Sequence, residues 1–180
     1  MCTHHACQSR RRFLIATAAA GLLAACGGGE GGGRGAVAPV EIDGSSSCAL
    51  DGMLLADYPG PKVQMHYAGV AQPDWFCDTI EMFNVYLNPE QARAVSALYV
   101  QDMAKAEWNA PRGHWIDAKS AFYVFGSKRL GSMGPTAASF AREQDVKAFA
   151  AEHGGQVLRF DEVKPDMVAL DGGALHDQSM

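Results

Sequence analysis

Leu14 to Ala25 is an uncharged, largely apolar run of 12 residues set between Arg10-Arg11-Arg12 and Cys26. A helix needs about 20 residues to cross the hydrocarbon core of a bilayer. The run is therefore too short to span one, and it fits the hydrophobic region of an export signal at residues 1–25. Gly27 to Gly35, which follow, are mostly glycine and read as a flexible coil. Folding is thereby confined to the rest of the 180-residue chain, enough for one ordinary domain or two small ones.

The end of the run, Leu23-Ala24-Ala25-Cys26, resembles the lipobox of bacterial lipoproteins, in which the cysteine is diacylated and becomes the mature N-terminus. Ser9-Arg10-Arg11-Arg12-Phe13-Leu14 resembles a twin-arginine export signal. These features predict a periplasmic protein anchored through a lipid on Cys26, with residues 26–47 as a Gly/Ser-rich tether. Gly27 stands where an acidic residue would signal inner-membrane retention, so the outer membrane is the expected address. Loss of three arginines, with no acid before residue 26, takes the formal net charge from −5 to about −8. That charge argues against nucleic-acid binding. Of the five cysteines, the mature fold keeps two that are free of lipid, Cys48 and Cys77. In an oxidising compartment a disulfide between them is one reading.

Beyond the tether, Val63 to Tyr67 alternates as a strand, and Pro59-Gly60-Pro61 before it marks a turn. Asp78 or Thr79 starts a helix that runs to about Leu87, with Glu81 placed to complete a capping box. Ala97 to Val100 reads as a strand. A second unit repeats the order, with Trp115-Ile116-Asp117 as a short apolar segment and Ala121 to Gly126 as a buried-strand run. A Gly-rich loop follows from Ser127 to Pro135. A helix from Arg142 to His153 stops at Gly154-Gly155, and Gln156 to Phe160 closes the unit. Both halves read strand, strand, helix, strand. The expected class is α+β, with one unit at 48–108, a second at 109–165 and a mobile polar tail over 166–180.

No Gly-rich phosphate loop, nucleophile elbow or His-Glu-x-x-His helix is present, and the residues argue against an enzyme. Methionine is the unusual feature. Met65 and Met82 lie on apolar faces and read as core. Met53, Met103 and Met133 fall at loops or element ends, where function concentrates. Thioethers are soft ligands that favour Cu(I) and need no deprotonation. Cys48, Asp51 and Met53 lie within six residues of one another, Cys77 can add a thiolate, and His114 can serve as a ligand or as a hydrogen-bonded turn residue. His66 faces the side of its strand opposite Met65.

Several stretches together resemble the NosL family, the accessory lipoproteins of nitrous oxide reductase. They are Cys48-x-x-Asp51-Gly52-Met53 with its continuation to Pro61, Phe76-Cys77-Asp78, Tyr99 to Met103, Gly113 to Ala118, Gly131 to Pro135, and His153 to Gly155 with Val157 to Glu162. The resemblance covers about residues 48 to 163. It implies a periplasmic Cu(I) chaperone supplying copper for the metal centres of nitrous oxide reductase. It also implies two small ββαβ units similar to part of organomercurial lyase, and a partner consisting of a copper-handling periplasmic protein with an ABC transporter. The family commonly has a second cysteine where this chain has Asp51. That departure moves weight from Cys48 towards Met53, Met103 and Cys77, with Met103 the leading candidate ligand. Two rivals stand beside this reading: an organomercurial-cleaving enzyme using Cys48 or Cys77, and a metal-free docking lipoprotein.

Overall fold

The computed structural model describes residues 37–170. The proposed signal, Cys26 and the glycine run lie outside the described residues, as does the end of the tail beyond residue 170. No described helix is long and apolar enough to cross a membrane.

Strand β1 (Val63–Tyr67) is buried along its whole length. Its odd-numbered side chains, Val63, Met65 and Tyr67, enter the main core. Gln64 and His66 point to the other face, as strand alternation requires. β2 (Asp74–Phe76) and β3 (Val95–Gln101) flank β1, both antiparallel to it. Between β2 and β3 runs helix α1 (Thr79–Leu87). Asp78 is its N-cap, with the carboxylate accepting from Ile80 N–H at 2.8 Å.

The second unit uses the same plan. β5 (Phe122–Phe125) lies between β8 (Ala138–Phe140) and β9 (Gln156–Arg159), again antiparallel to both. Helix α2 (Glu143–His153) connects β8 to β9. The sheet orders β2-β1-β3 and β8-β5-β9 are the same pattern drawn twice. β5 is buried on both faces: Tyr123 and Phe125 join the main core, while Val124 packs with Phe140 and Val146 on the α2 side. This explains its unbroken apolar run. Met65 and Met82 are fully buried in the core, as expected.

Four expectations need correction. β4 (Trp115–Asp117), placed by the sequence at the head of the second unit, extends the first sheet by pairing with the free edge of β3. Its three residues complete a ladder that β3 would otherwise expose. The Gly-rich loop contains a short hairpin, β6 (Leu130–Gly131) and β7 (Gly134–Pro135). The tether ends before Ser47. Val40 exchanges two hydrogen bonds with the Gln64 side chain, Tyr99 Oη donates to Val37 O at 2.6 Å, and Ile42 is buried. These contacts lay residues 37–42 over the polar face of β1. The tail expected to be mobile instead forms a 3-10 turn at Pro165–Met167 and buries Val168 in the core, where Val168 O accepts from Asn84.

Candidate metal centre

Cys48 opens a tight loop. Its N–H donates to Met53 O at 2.8 Å, and Gly52 N–H donates back to Cys48 O at 2.9 Å. Asp51 Oδ1 accepts from Met53 N–H at 2.9 Å. Gly52 has φ of 77°, a conformation side chains resist. Ala49 N–H donates to Trp75 O at 2.8 Å, and Cys48 bridges Trp75 in parallel register. The loop is thereby fastened alongside β2, two residues upstream of Cys77.

Cys77 sits between the end of β2 and the cap of α1. Both cysteines are free thiols and both are buried. Glu81, one helical turn beyond Cys77, is also buried. Its Oε2 lies 3.3 Å from Cys48 Sγ and 3.3 Å from Cys77 Sγ. Donor atoms of Cys48, Asp51, Cys77 and Glu81 all lie within 4.8 Å of one another. A hydrogen bond from Cys77 lowers the pKa of Cys48 below the usual thiol range. Keeping that proton, together with burial, pushes Cys77 up. The two thiols are thereby coupled, Cys48 being the more acidic and Cys77 the one that holds its proton more firmly.

The floor is formed by buried ionisable residues. Lys62 is fully buried, and its Nζ donates to Pro59 O at 2.8 Å and Cys77 O at 3.0 Å. Burial pulls its pKa down to about 8, against the opposing pull of the surrounding Cys77, Asp78, Glu81 and Cys48. Burial likewise pushes Asp78 up to about 7. Ser132 Oγ, from the β6–β7 hairpin, donates to Cys77 O at 2.8 Å. A Cβ on Gly60 would lie 2.8 Å from Gly131 Cα, so the loop before Lys62 and the hairpin meet backbone to backbone.

The candidate ligands separate into groups. Cys48 and Cys77 share a small cluster with Ile42 and Leu55, and Met53, Trp75 and Trp115 pack against it. Met133 is exposed at the hairpin turn, one residue from Ser132. His114 is exposed and is the one non-glycine residue with positive φ, 55°, among the described residues. It immediately precedes Trp115. Met103 packs elsewhere, with Ala106, Phe140 and Val146 in the α2 cluster.

Sequence reasoning missed Glu81 and Lys62. The spacing of Glu81 from Asp78 fits a capping box, yet Asp78 alone caps α1 and the Glu81 carboxylate turns to the thiols. The spacing of four between Cys77, just before the cap of α1, and Glu81, in its first turn, was the available signal. Lys62, sitting before an apolar strand, gives no local sign of burial.

A NosL family model matches residues 39–168. The chain is 42% identical over 150 residues to the copper-binding lipoprotein NosL of Stutzerimonas stutzeri, covering 80% of this chain and 77% of that protein. It is 39% identical over 120 residues to the copper-binding lipoprotein NosL of Achromobacter cycloclastes, covering 64% of this chain and 62% of that protein. The crystal structure of the copper chaperone NosL from Shewanella denitrificans superimposes with a TM-score of 0.68 at 36% identity, covering 73% of this chain and 98% of that one.

Proposed function

This chain belongs to the NosL family, and on that premise we propose that it is a periplasmic Cu(I) chaperone, lipid-anchored through Cys26, that supplies copper for the metal centres of nitrous oxide reductase. The observation that carries the proposal is the meeting of Cys48 and Cys77 around Glu81, with the Met53 thioether packed against them. Two thiolates and a thioether form a soft donor set suited to Cu(I).

Capture of Cu(I) by both sulfurs forms two Cu–S bonds and releases two protons. Glu81, already hydrogen-bonded to both thiols, is the nearest acceptor for the first proton. The shell is incomplete by design: an accepting protein adds a ligand and takes the ion, whereas a closed site would hold it. Met133 and His114, both exposed, serve the ion in transit. Met103, apart from the cysteines, holds copper at a separate soft position. The partner is a copper-handling periplasmic protein working with an ABC transporter, and the outer membrane is the anchoring surface. The protein performs no chemistry of its own beyond binding and transfer.

Anaerobic titration of the reduced protein with Cu(I) against a competing chelator tests this reading. The expected result is tight binding with copper–sulfur bonds in the X-ray absorption spectrum. A protein that stays metal-free, or binds through nitrogen and oxygen only, overturns it.

A second reading has one observation in its favour. Two thiols and two carboxylates within 4.8 Å also suit cleavage of a carbon–mercury bond. Thiolates would bond to mercury, the carbon–mercury bond would break, and a protonated carboxyl would supply the proton that the departing carbon takes. Gas chromatography for hydrocarbon released from an organomercurial decides it, and no release removes it.

A further inference from the structure

Lys62 is the one cation among the described residues buried against the cysteine centre, and no carboxylate lies within ion-pair distance of it. Its ammonium rests instead on two backbone carbonyls, those of Pro59 and Cys77. The other end of the residue is equally fixed, because its backbone N–H donates to the buried Gln101 side chain at 3.0 Å. Gln101 in turn reaches Gly113 O, beside His114. A buried, unpaired ammonium is costly, and a purely structural position at the head of a strand would be better filled by an apolar residue. The charged and titratable groups that face it are Cys77, Asp78, Glu81 and Cys48.

With its thiols protonated, the sulfur pair contributes no negative charge to balance that ammonium. After both sulfurs have exchanged protons for one Cu(I), the copper–dithiolate unit is net negative beside an acidic Glu81. The fixed cation then has its counterpart. We propose that Lys62 is a positioning residue of the metal centre, a built-in counter-charge that holds Cys77 in place through its carbonyl and offsets the negative charge of the copper-loaded dithiolate. The proposal rests on the copper reading above and adds to it a residue that touches no metal.

Lys62→Met keeps the length of the stem and removes the charge and both donors, while Lys62→Arg keeps a charge and donors at the same place. Full-length protein is compared by Cu(I) competition with a chelator, with circular dichroism as the fold control. Lys62→Met should weaken Cu(I) binding by about tenfold or more, the effect of one unit of ligand acidity, with an unchanged circular dichroism spectrum. Lys62→Arg should recover most of the affinity. A second measurement needs no variant. With isotopically labelled lysine in the wild-type protein, the Lys62 side-chain nitrogen signal should shift on Cu(I) loading and stay put when Cys77→Ser is loaded. Wild-type protein that binds no Cu(I) overturns the copper reading itself. Tight wild-type binding with Lys62→Met unimpaired, or with a Lys62 signal indifferent to copper, overturns the role of Lys62 alone.

Discussion

The Cys77 thiol lies 3.3 Å from the carboxylate of Glu81, one helical turn further along the same chain. The contact joins a soft sulfur to a carboxylate inside a buried cluster, and for a copper site it sets how binding should respond to acid. Cys77, with its pKa raised, keeps its proton at neutral pH and must lose it to bind. Cu(I) affinity should therefore rise about tenfold per pH unit between about pH 6 and 8 for that proton alone. Chelator competition across this range checks it, and a flat profile is the contrary result.

Replacing either sulfur should be severe. Cys48→Ser and Cys77→Ser each leave one thiolate, and Cu(I) affinity is expected to fall by about 100-fold or more, equivalent to ~2.7 kcal/mol. The same titrations read by X-ray absorption should show one sulfur scatterer fewer in each variant.

Asp78 gives a prediction about stability. Its folded pKa, pushed up to about 7 by burial, exceeds the ordinary carboxylate value of 3.8. The folded chain thus holds this proton more tightly than the unfolded one does. The associated stability is complete below about pH 4 and is lost as pH rises towards 7, by up to about 4 kcal/mol. Asn is as good an N-cap as Asp. Asp78→Asn should therefore flatten the dependence and raise the melting temperature at pH 7, as measured by thermal unfolding from pH 4 to 7.

Gly131 should not accept a side chain. A Cβ there would collide with Asp78 Oδ2 and lie 2.8 Å from Thr136 Cβ. Gly131→Ala is expected to cost about 1–3 kcal/mol and to disturb the Ser132 bond to Cys77. Chemical denaturation and Cu(I) titration on the same variant should both register the change.

Met103 separates packing from ligation. In the α2 cluster, Met103→Ala should cost about 2–5 kcal/mol, whereas Met103→Leu conserves volume and should cost less than about 1.5 kcal/mol. Denaturant unfolding of the two variants tests the packing role.

The secondary structure of the chain was largely legible because its signals are local. The alternation from Val63 to Tyr67 and the Asp78 cap each declare an element within a few residues. The site was legible only as a set of ligand types. Cys48 meets Cys77 across 29 positions because a loop hydrogen-bonds to Trp75, and no local pattern encodes that pairing. Glu81 fits two local patterns, a capping box with Asp78 and a spacing of four from Cys77, and the structure uses the second. The packing of Met103, a loop-end residue in sequence, was hidden because α2, which covers it, lies far along the chain. The burial of Val168 was hidden in the same way, since its partner Asn84 lies half the chain away.

The repeated strand order of the two sheets has a further consequence. The thiols, Glu81 and Lys62 all belong to the first copy or to the loop fastened to it, while the second contributes the hairpin that leans on Cys77. One copy gathers the thiol cluster and the other braces it. Substitutions inside α2 and β8 are accordingly free to drift under selection for packing alone. Lineages of such chains should diverge faster in α2 and β8 than around the thiol cluster.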